Sequence, residues 1–217
     1  MNRLDVIITK LKERFRNIAQ LGTFTDFRKW RAGYFALPAP TEIKLATLVR
    51  YGGKSRYWVE SGTYLGDTTK ELSKFAEEVH TIEPSKDLFR RGSVRIGDLP
   101  NVFRYNDLSE NVIGSIVDGI ISRKNDLSFA FFLDGHYSHH DTFQGPIDTP
   151  ILQELAEISK RIHSMDEVVV LVDDVRLFTG LLESHEEYPE LLSLVSWAEE
   201  NRLRWTIEND IFVALKS

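Results

Sequence analysis

The chain has no cysteine among its 217 residues. That excludes disulfides, thiolate metal sites and cysteine nucleophiles together, and it fits a cytoplasmic location. No apolar run approaches the roughly 20 residues that a membrane span requires. No signal-peptide core is expected at the start, because Asp5, Lys10, Lys12 and Glu13 interrupt it. Basic residues are not in excess. Lys and Arg number 27 against 33 Asp and Glu, a net charge of −6, so a nucleic-acid partner is not expected. Internal repeats and low-complexity tracts are missing as well. With 42% hydrophobic residues, a chain of this length reads as one globular domain.

What is present is a βα rhythm. Arg56 to Glu60 reads as a short buried strand and Thr68 to Glu77 as a helix. Glu78 to Ile82 is a second strand, Lys86 to Ile96 a helix, Val102 to Tyr105 a third strand, and Ser109 to Ser122 a helix. The all-apolar runs Phe129 to Leu133 and Val168 to Val172 are strands on either side of a helix from Pro150 to about His163. Continuous apolar strands alternating with helices argue for a parallel sheet covered on both faces. After a helix near Pro189 to Asn201, the segments Leu203 to Glu208 and Ile211 to Leu215 flank Asn209-Asp210, which predicts an antiparallel hairpin.

The N-terminal quarter has a different texture. Leu4, Ile7, Ile8, Leu11, Phe15 and Ile18 form one helical face, suited to packing on the chain's own domain or on a second subunit, so a homo-oligomer through N-terminal helices is an expectation. Phe24 to Phe35 is dense in aromatics and cations and reads either as a lid over the site or as an interface or core patch. A helix from Glu42 to Tyr51 stops at Gly52-Gly53. Residues 1–53 are therefore read as a helical extension or lid within the same domain, and 54–217 as the ligand-binding domain.

Ligands in an open α/β sheet bind beyond the carboxyl ends of the strands. Those ends carry Glu60, Glu83, Asn106-Asp107, Asp134 and Asp173-Asp174. Any one acid there can cap the next turn, but five in succession point to a shared acidic cleft. The first strand runs into Glu60-Ser61-Gly62-Thr63-Tyr64-Leu65-Gly66-Asp67-Thr68. Glycines let the backbone approach a small ligand, and the following helix start presents N–H groups. The spacing is E-x-G-x-x-x-G-x-T. A dinucleotide fold wants G-x-G-x-x-G, which places a nicotinamide oxidoreductase last among the readings.

The pattern from Glu60 to Thr68 resembles motif I of class I S-adenosylmethionine-dependent methyltransferases. That resemblance covers Arg56 to the C-terminus. It implies a Rossmann-like class I methyltransferase fold: α/β, a mainly parallel seven-stranded sheet with a C-terminal antiparallel hairpin strand, helices on both faces and an N-terminal helical extension. It implies S-adenosylmethionine as cofactor, with Gly62 and Gly66 along its amino acid and ribose portions. Glu60 would orient the turn or face the ligand's ammonium, Glu83 would accept from the ribose hydroxyls, Asp107 would lie against the adenine, and Thr68 or Thr69 would cap the helix or meet the carboxylate. Asp134 would also line the cofactor.

Phe132 to His136 and Val170 to Asp174 further resemble the metal site of catechol O-methyltransferase and of natural-product sugar O-methyltransferases. That resemblance implies Asp134, Asp173 and Asp174 as ligands of Mg²⁺ or another hard divalent cation, which would acidify and aim an acceptor oxygen. The catechol enzymes place a lysine base three residues after the strand-four acid. Tyr137 stands there in this sequence, so His136, or else His139, is the expected base beside Asp134. Arg176 would pair with Asp173 or Asp174, or meet an anionic substrate. His80, His163 and His185 lack such context. The leading expectation is metal-assisted O-methylation of a small polar acceptor such as a sugar or polyol. Metal-independent transfer on the same fold and a non-catalytic module serving assembly stay open.

Overall fold

The structure, a computed structural model, describes residues 23–135, 149–180 and 188–216. The expected helix over residues 4–18 lies outside them. Helix α1 (Thr23–Ala32) and helix α2 (Thr41–Gly52) precede an alternating βα series. It comprises β1 (Tyr57–Ser61), α3 (Asp67–Leu72), β2 (Glu78–Ile82), α4 (Lys86–Ile96), β3 (Val102–Tyr105), α5 (Ser109–Ile121) and β4 (Ser128–Leu133). Then come α6 (Ile151–Ser159), β5 (Glu167–Val172), a 3₁₀ turn (Val175–Thr179), α7 (Leu191–Glu200), β6 (Arg204–Glu208) and β7 (Ile211–Leu215).

The seven strands form one sheet in the order β3-β2-β1-β4-β5-β7-β6. The first five are parallel, and β7 runs antiparallel to both β5 and β6. The connection order reverses between β1 and β4, which opens a crevice at their carboxyl ends. Asn209 and Asp210, at φ 54 and 68, close the β6–β7 hairpin. Positive φ at both central residues is the type I′ geometry, whose twist matches paired strands.

Why the central strands read as unbroken apolar runs is plain from their two faces. Phe129, Phe131 and Leu133 of β4 join Val168, Val170 and Val172 of β5 in one core beneath α5, α6 and α7. Their neighbours Ala130, Phe132 and Leu171 face the opposite way, against Trp58, Leu72 and Leu48. Alternate residues along a strand point to opposite faces, so a strand covered on both sides must be apolar throughout. Leu48 belongs to α2. That helix is thus a layer of the domain, packed on the sheet through a side chain 1% exposed.

The expected helix from Thr68 to Glu77 ends early, at Leu72. The cause is tertiary. Asn101 Nδ2 donates to the carbonyls of Ser73 (2.9 Å) and Ala76 (3.2 Å), and Ser73 Oγ donates to Lys70 O. These bonds hold the chain in successive turns instead of a helix. Replacing Asn101 with alanine is expected to destabilise the fold by about 1–2 kcal/mol, read as a lower urea midpoint at unchanged m-value.

Candidate active site

The turn after β1 is held from three sides. The N–H groups of Gly62 and Thr63 both donate to the Ile82 carbonyl, tying the turn to β2. Gly62 has φ +81, and a Cβ there would lie closer than 3.0 Å to the Asp134 carbonyl oxygen. The turn and the end of β4 therefore touch backbone to backbone at the strand-order reversal. Gly66, at φ +79, precedes α3 and abuts Ile96 of α4 in the same way. Only glycine meets both demands, a left-handed φ and no side chain.

Glu83, 4% exposed at the end of β2, reaches back to this turn. Its Oε2 accepts from the N–H of Tyr64 and its Oε1 from the N–H of Ser85, both at 2.9 Å. Burial nonetheless lifts its pKa above the ordinary carboxylate value, against these two backbone bonds. Glu60 sits deeper. Its Oε2 accepts from Thr69 Oγ1 at 2.5 Å and Thr81 Oγ1 at 2.7 Å, so its carboxyl ties β1 to α3 and β2. Burial pushes it up to about 7, opposed by those hydroxyls and reinforced by Asp134 and Glu83. Thr69, not Thr68, is the buried threonine of this helix. Asp107 is exposed, and its Oδ1 accepts from Leu108 N–H and Asn111 Nδ2.

On the other side of the crevice, Asp173 and Asp174 follow β5. Asp173 Oδ1 accepts from the Asp174 N–H (2.8 Å) and from Lys44 Nζ (2.7 Å). The same ammonium pairs with Asp174 Oδ1, to which Arg176 also donates, at 2.6 Å. Arg176 further pairs with Asp210 of the hairpin turn, whose Oδ1 accepts the Arg176 N–H at 3.0 Å. Burial opposes the charge on Lys44, but Asp173 and Asp174 outweigh it and hold its pKa above the usual lysine value. Burial, then Asp134 and Asp174, push Asp173 up to about 7 against Lys44.

Sequence reasoning missed three groups here. Lys44 reaches the acids from α2. Asp210 reads as an ordinary turn residue, yet its side chain is fully buried against Arg176. Glu154 of α6 reads as the polar side of an amphipathic helix but is 1% exposed. Its Oε1 and the neighbouring Ser61 Oγ are both buried, side by side next to Gly135. Burial raises the Glu154 carboxyl to about 7, with Ser109 and Ser61 pulling the other way.

The structure thus gathers Glu60, Gly62, Gly66, Glu83, Asp134, Asp173 and Asp174 at the carboxyl edge of the sheet. The hydrogen bonds of Asp107 stay local, on Leu108 and Asn111. The expected bases His136 and His139, with Tyr137, lie outside them. Among the described residues no group of three His, Asp or Glu side chains could hold a metal ion. No helix among them is long and apolar enough to cross a membrane.

No known family model matches the sequence, and no curated protein matches it. Solved structures do. The O-methyltransferase TomG from Streptomyces achromogenes, involved in tomaymycin synthesis and bound to S-adenosylmethionine, is 18% identical with a TM-score of 0.52, over 83% of this chain and 80% of that one. An O-methyltransferase from Bacillus cereus, bound to S-adenosylhomocysteine, is 17% identical with a TM-score of 0.52 over 88% of each chain. The N-methyltransferase NodS from Bradyrhizobium japonicum WM9 is 11% identical with a TM-score of 0.51, over 82% of this chain and 87% of that one. The chain has the Rossmann-like class I methyltransferase fold.

Proposed function

We propose that this protein is a methyltransferase that uses S-adenosylmethionine to methylate an oxygen of a small polar acceptor, of sugar or polyol type. The observation that carries the reading is the joined turn: Gly62 in backbone contact with Asp134, and Glu83 holding Tyr64 N–H across the same crevice. The cofactor's fit rests on this cradle, in which Gly62 and Gly66 leave room that a Cβ would fill.

S-adenosylmethionine, when bound, supplies an electrophilic methyl group. Gly62 and Gly66 let the backbone run close beside it. Glu83 keeps both oxygens fixed by backbone N–H groups and has lone pairs over for the two ribose hydroxyls. Glu60 acts through the turn, which it anchors from beneath. Asp107 borders the adenine end and Thr68 the carboxylate end. Asp134, at the end of β4, faces the acceptor, and His136 or His139 takes the hydroxyl proton. The acidic chain favours a small acceptor over nucleic acid, the cysteine-free sequence is compatible with a cytoplasmic location, and pairing of subunits through the N-terminal helices completes the reading.

The divalent cation expected on Asp134, Asp173 and Asp174 is a poor fit. Lys44 and Arg176 already hold the acid pair. No step is assigned to a metal.

Calorimetric titration with S-adenosylmethionine, S-adenosylhomocysteine and NAD tests the reading. The first two are expected to bind and the third not. The Glu83→Ala variant is expected to bind S-adenosylhomocysteine about 10- to 100-fold more weakly, the loss of hydrogen bonds to a charged group. Binding of NAD alone would sink the proposal, and unaltered affinity in Glu83→Ala would remove Glu83 from the site.

A further inference from the structure

Two cations of the chain's own already stand on the acid pair after β5. Lys44 and Leu48 lie four residues apart on α2, hence on one face. Leu48 is buried with Leu171 and Val213. Packing through that face fixes the lysine over the carboxyl end of β5, where its side chain is 15% exposed. The helix is held at a second point, because Asn209 Nδ2 donates to Thr47 Oγ1 at 2.9 Å. Lys44 is therefore built into the layer.

The lone pairs tell the same story. A carboxylate oxygen offers about two. On one oxygen of each acid both are taken: Asp173 Oδ1 accepts from Asp174 N–H and Lys44, and Asp174 Oδ1 from Lys44 and Arg176. A hard divalent ion needs several oxygens at about 2.0–2.1 Å and tolerates no ammonium among them. Charge points the same way. Asp173 and Asp174 already meet two cations, Lys44 and Arg176, the second shared with Asp210.

We propose that Lys44 is the resident cation of this site: its ammonium takes the place a divalent ion would fill, and methyl transfer here needs no metal. This rests on the methyltransferase reading and deepens it. An ammonium has three N–H donors, of which two are directed at Asp173 and Asp174. The third serves an oxygen of the acceptor. A metal chelates two adjacent oxygens, whereas one N–H receives one. A vicinal pair is therefore not required: one hydroxyl of the sugar or polyol suffices. In the step, the hydroxyl oxygen forms a bond to the methyl carbon and the carbon–sulfur bond breaks with its pair going to sulfur. The hydroxyl proton passes to a base of the chain.

The test uses Mn²⁺ as probe on the purified full chain, read by electron paramagnetic resonance. Wild type is expected to show no saturable Mn²⁺ site up to millimolar concentration, and its melting temperature is expected not to move with Mg²⁺. Lys44→Ala and the closer-fitting Lys44→Met remove the cation and leave the carboxylates. At least one of them is expected to gain a Mn²⁺ site at least about tenfold tighter than any in wild type, and to melt about 5 °C higher when Mg²⁺ is added. Asp173→Asn in the same background should abolish the gain. A stoichiometric Mn²⁺ site in wild type that Asp173→Asn removes overturns the proposal, and that arm needs no variant of Lys44 to fold. Calorimetry with S-adenosylmethionine stands apart. Its failure refutes the methyltransferase reading and leaves the assignment of Lys44 to the metal titration.

Discussion

Replacing Gly62 with alanine is expected to abolish detectable S-adenosylmethionine binding and to cost about 3 kcal/mol of stability, the sum of left-handed strain and overpacking. Both terms are visible at the residue. Its φ of +81 is one that an L side chain rarely adopts. The added methyl would point into the Asp134 carbonyl, which is backbone and cannot swing aside as the tip of a flexible side chain would. Relief requires parting β1 from β4 at the strand-order reversal. That movement would carry with it the Gly62 and Thr63 N–H bonds to Ile82 and the Tyr64 N–H bond to Glu83. Gly97 is the control. It too has a positive φ, but no atom lies within 4 Å of where its Cβ would be. Gly97→Ala, at φ 70 and ψ −159, therefore suffers only the backbone strain, about 1–3 kcal/mol, and should bind the cofactor like wild type. Urea unfolding and calorimetry on the pair separate the two causes. Equal behaviour of the two variants would show that the close approach at Gly62 has no bearing on the site.

How far the sequence foretold this arrangement depends on the range of the interactions involved. The strands β2, β3 and β7 fall where the sequence places them; for β7, Ile211 to Leu215, burial on both faces is written locally, residue by residue. The Asn209-Asp210 turn is legible for the same reason. The early end of α3 is not, since Asn101 takes its carbonyls from another part of the chain. The acid pair shows the same limit. Asp173-Asp174 is readable as a strand-end motif, but the group that answers its charge, Lys44, lies 130 residues from Asp174 on a helix whose sequence shows only an apolar face and a glycine stop. A motif of acids carries no mark of which cation neutralises it. The resemblance to metal-dependent enzymes supplied a divalent ion, and the fold supplies a lysine. Glu154 illustrates a third limit. A glutamate in the first turn of a helix is ordinary at helix starts, and nothing local says that this one is enclosed by β1, β4 and Ser109.

Stability is expected to fall as the pH rises from about 5 to about 8, by at least about 3 kcal/mol, the reverse of a protein whose carboxylates are all salt-bridged. The sign follows from Glu60 and Glu154. Burial raises both to about 7 from the model carboxylate value of 4.5. Between those two values the folded chain keeps protons that the unfolded chain has released. Their contribution is therefore complete below the unfolded pKa and is lost as the pH climbs through the folded one, at up to about 1.4 kcal/mol per pH unit for each group. The groups facing Glu60 are Thr69, Thr81, Asp134 and Glu83; those facing Glu154 are Ser109, Ser61, Glu110 and Asp134. None is a cation, so only hydroxyl hydrogen bonds offset ionisation, and burial outweighs them. Glu78 works in the other direction. Arg123 grips both its oxygens, at 2.7 and 2.6 Å, and His80 bonds it as well, which draws it down to about 2 against burial. Its contribution is present above the unfolded value and is lost as the pH falls through that lower range. The two limbs together place the stability maximum near pH 5, between the two sets of pKa values. Glu60→Gln isolates the alkaline limb. The amide oxygen can still accept from Thr69 and Thr81, and the side chain no longer ionises. Urea midpoints taken across the range should then decline less steeply than in wild type, by up to about one proton's worth of slope, with the variant the more stable of the two near pH 8. A wild-type midpoint that rises across that range would mean that both buried carboxyls ionise as readily as exposed ones, and the enclosure of Glu60 beneath the cofactor turn would have to be abandoned.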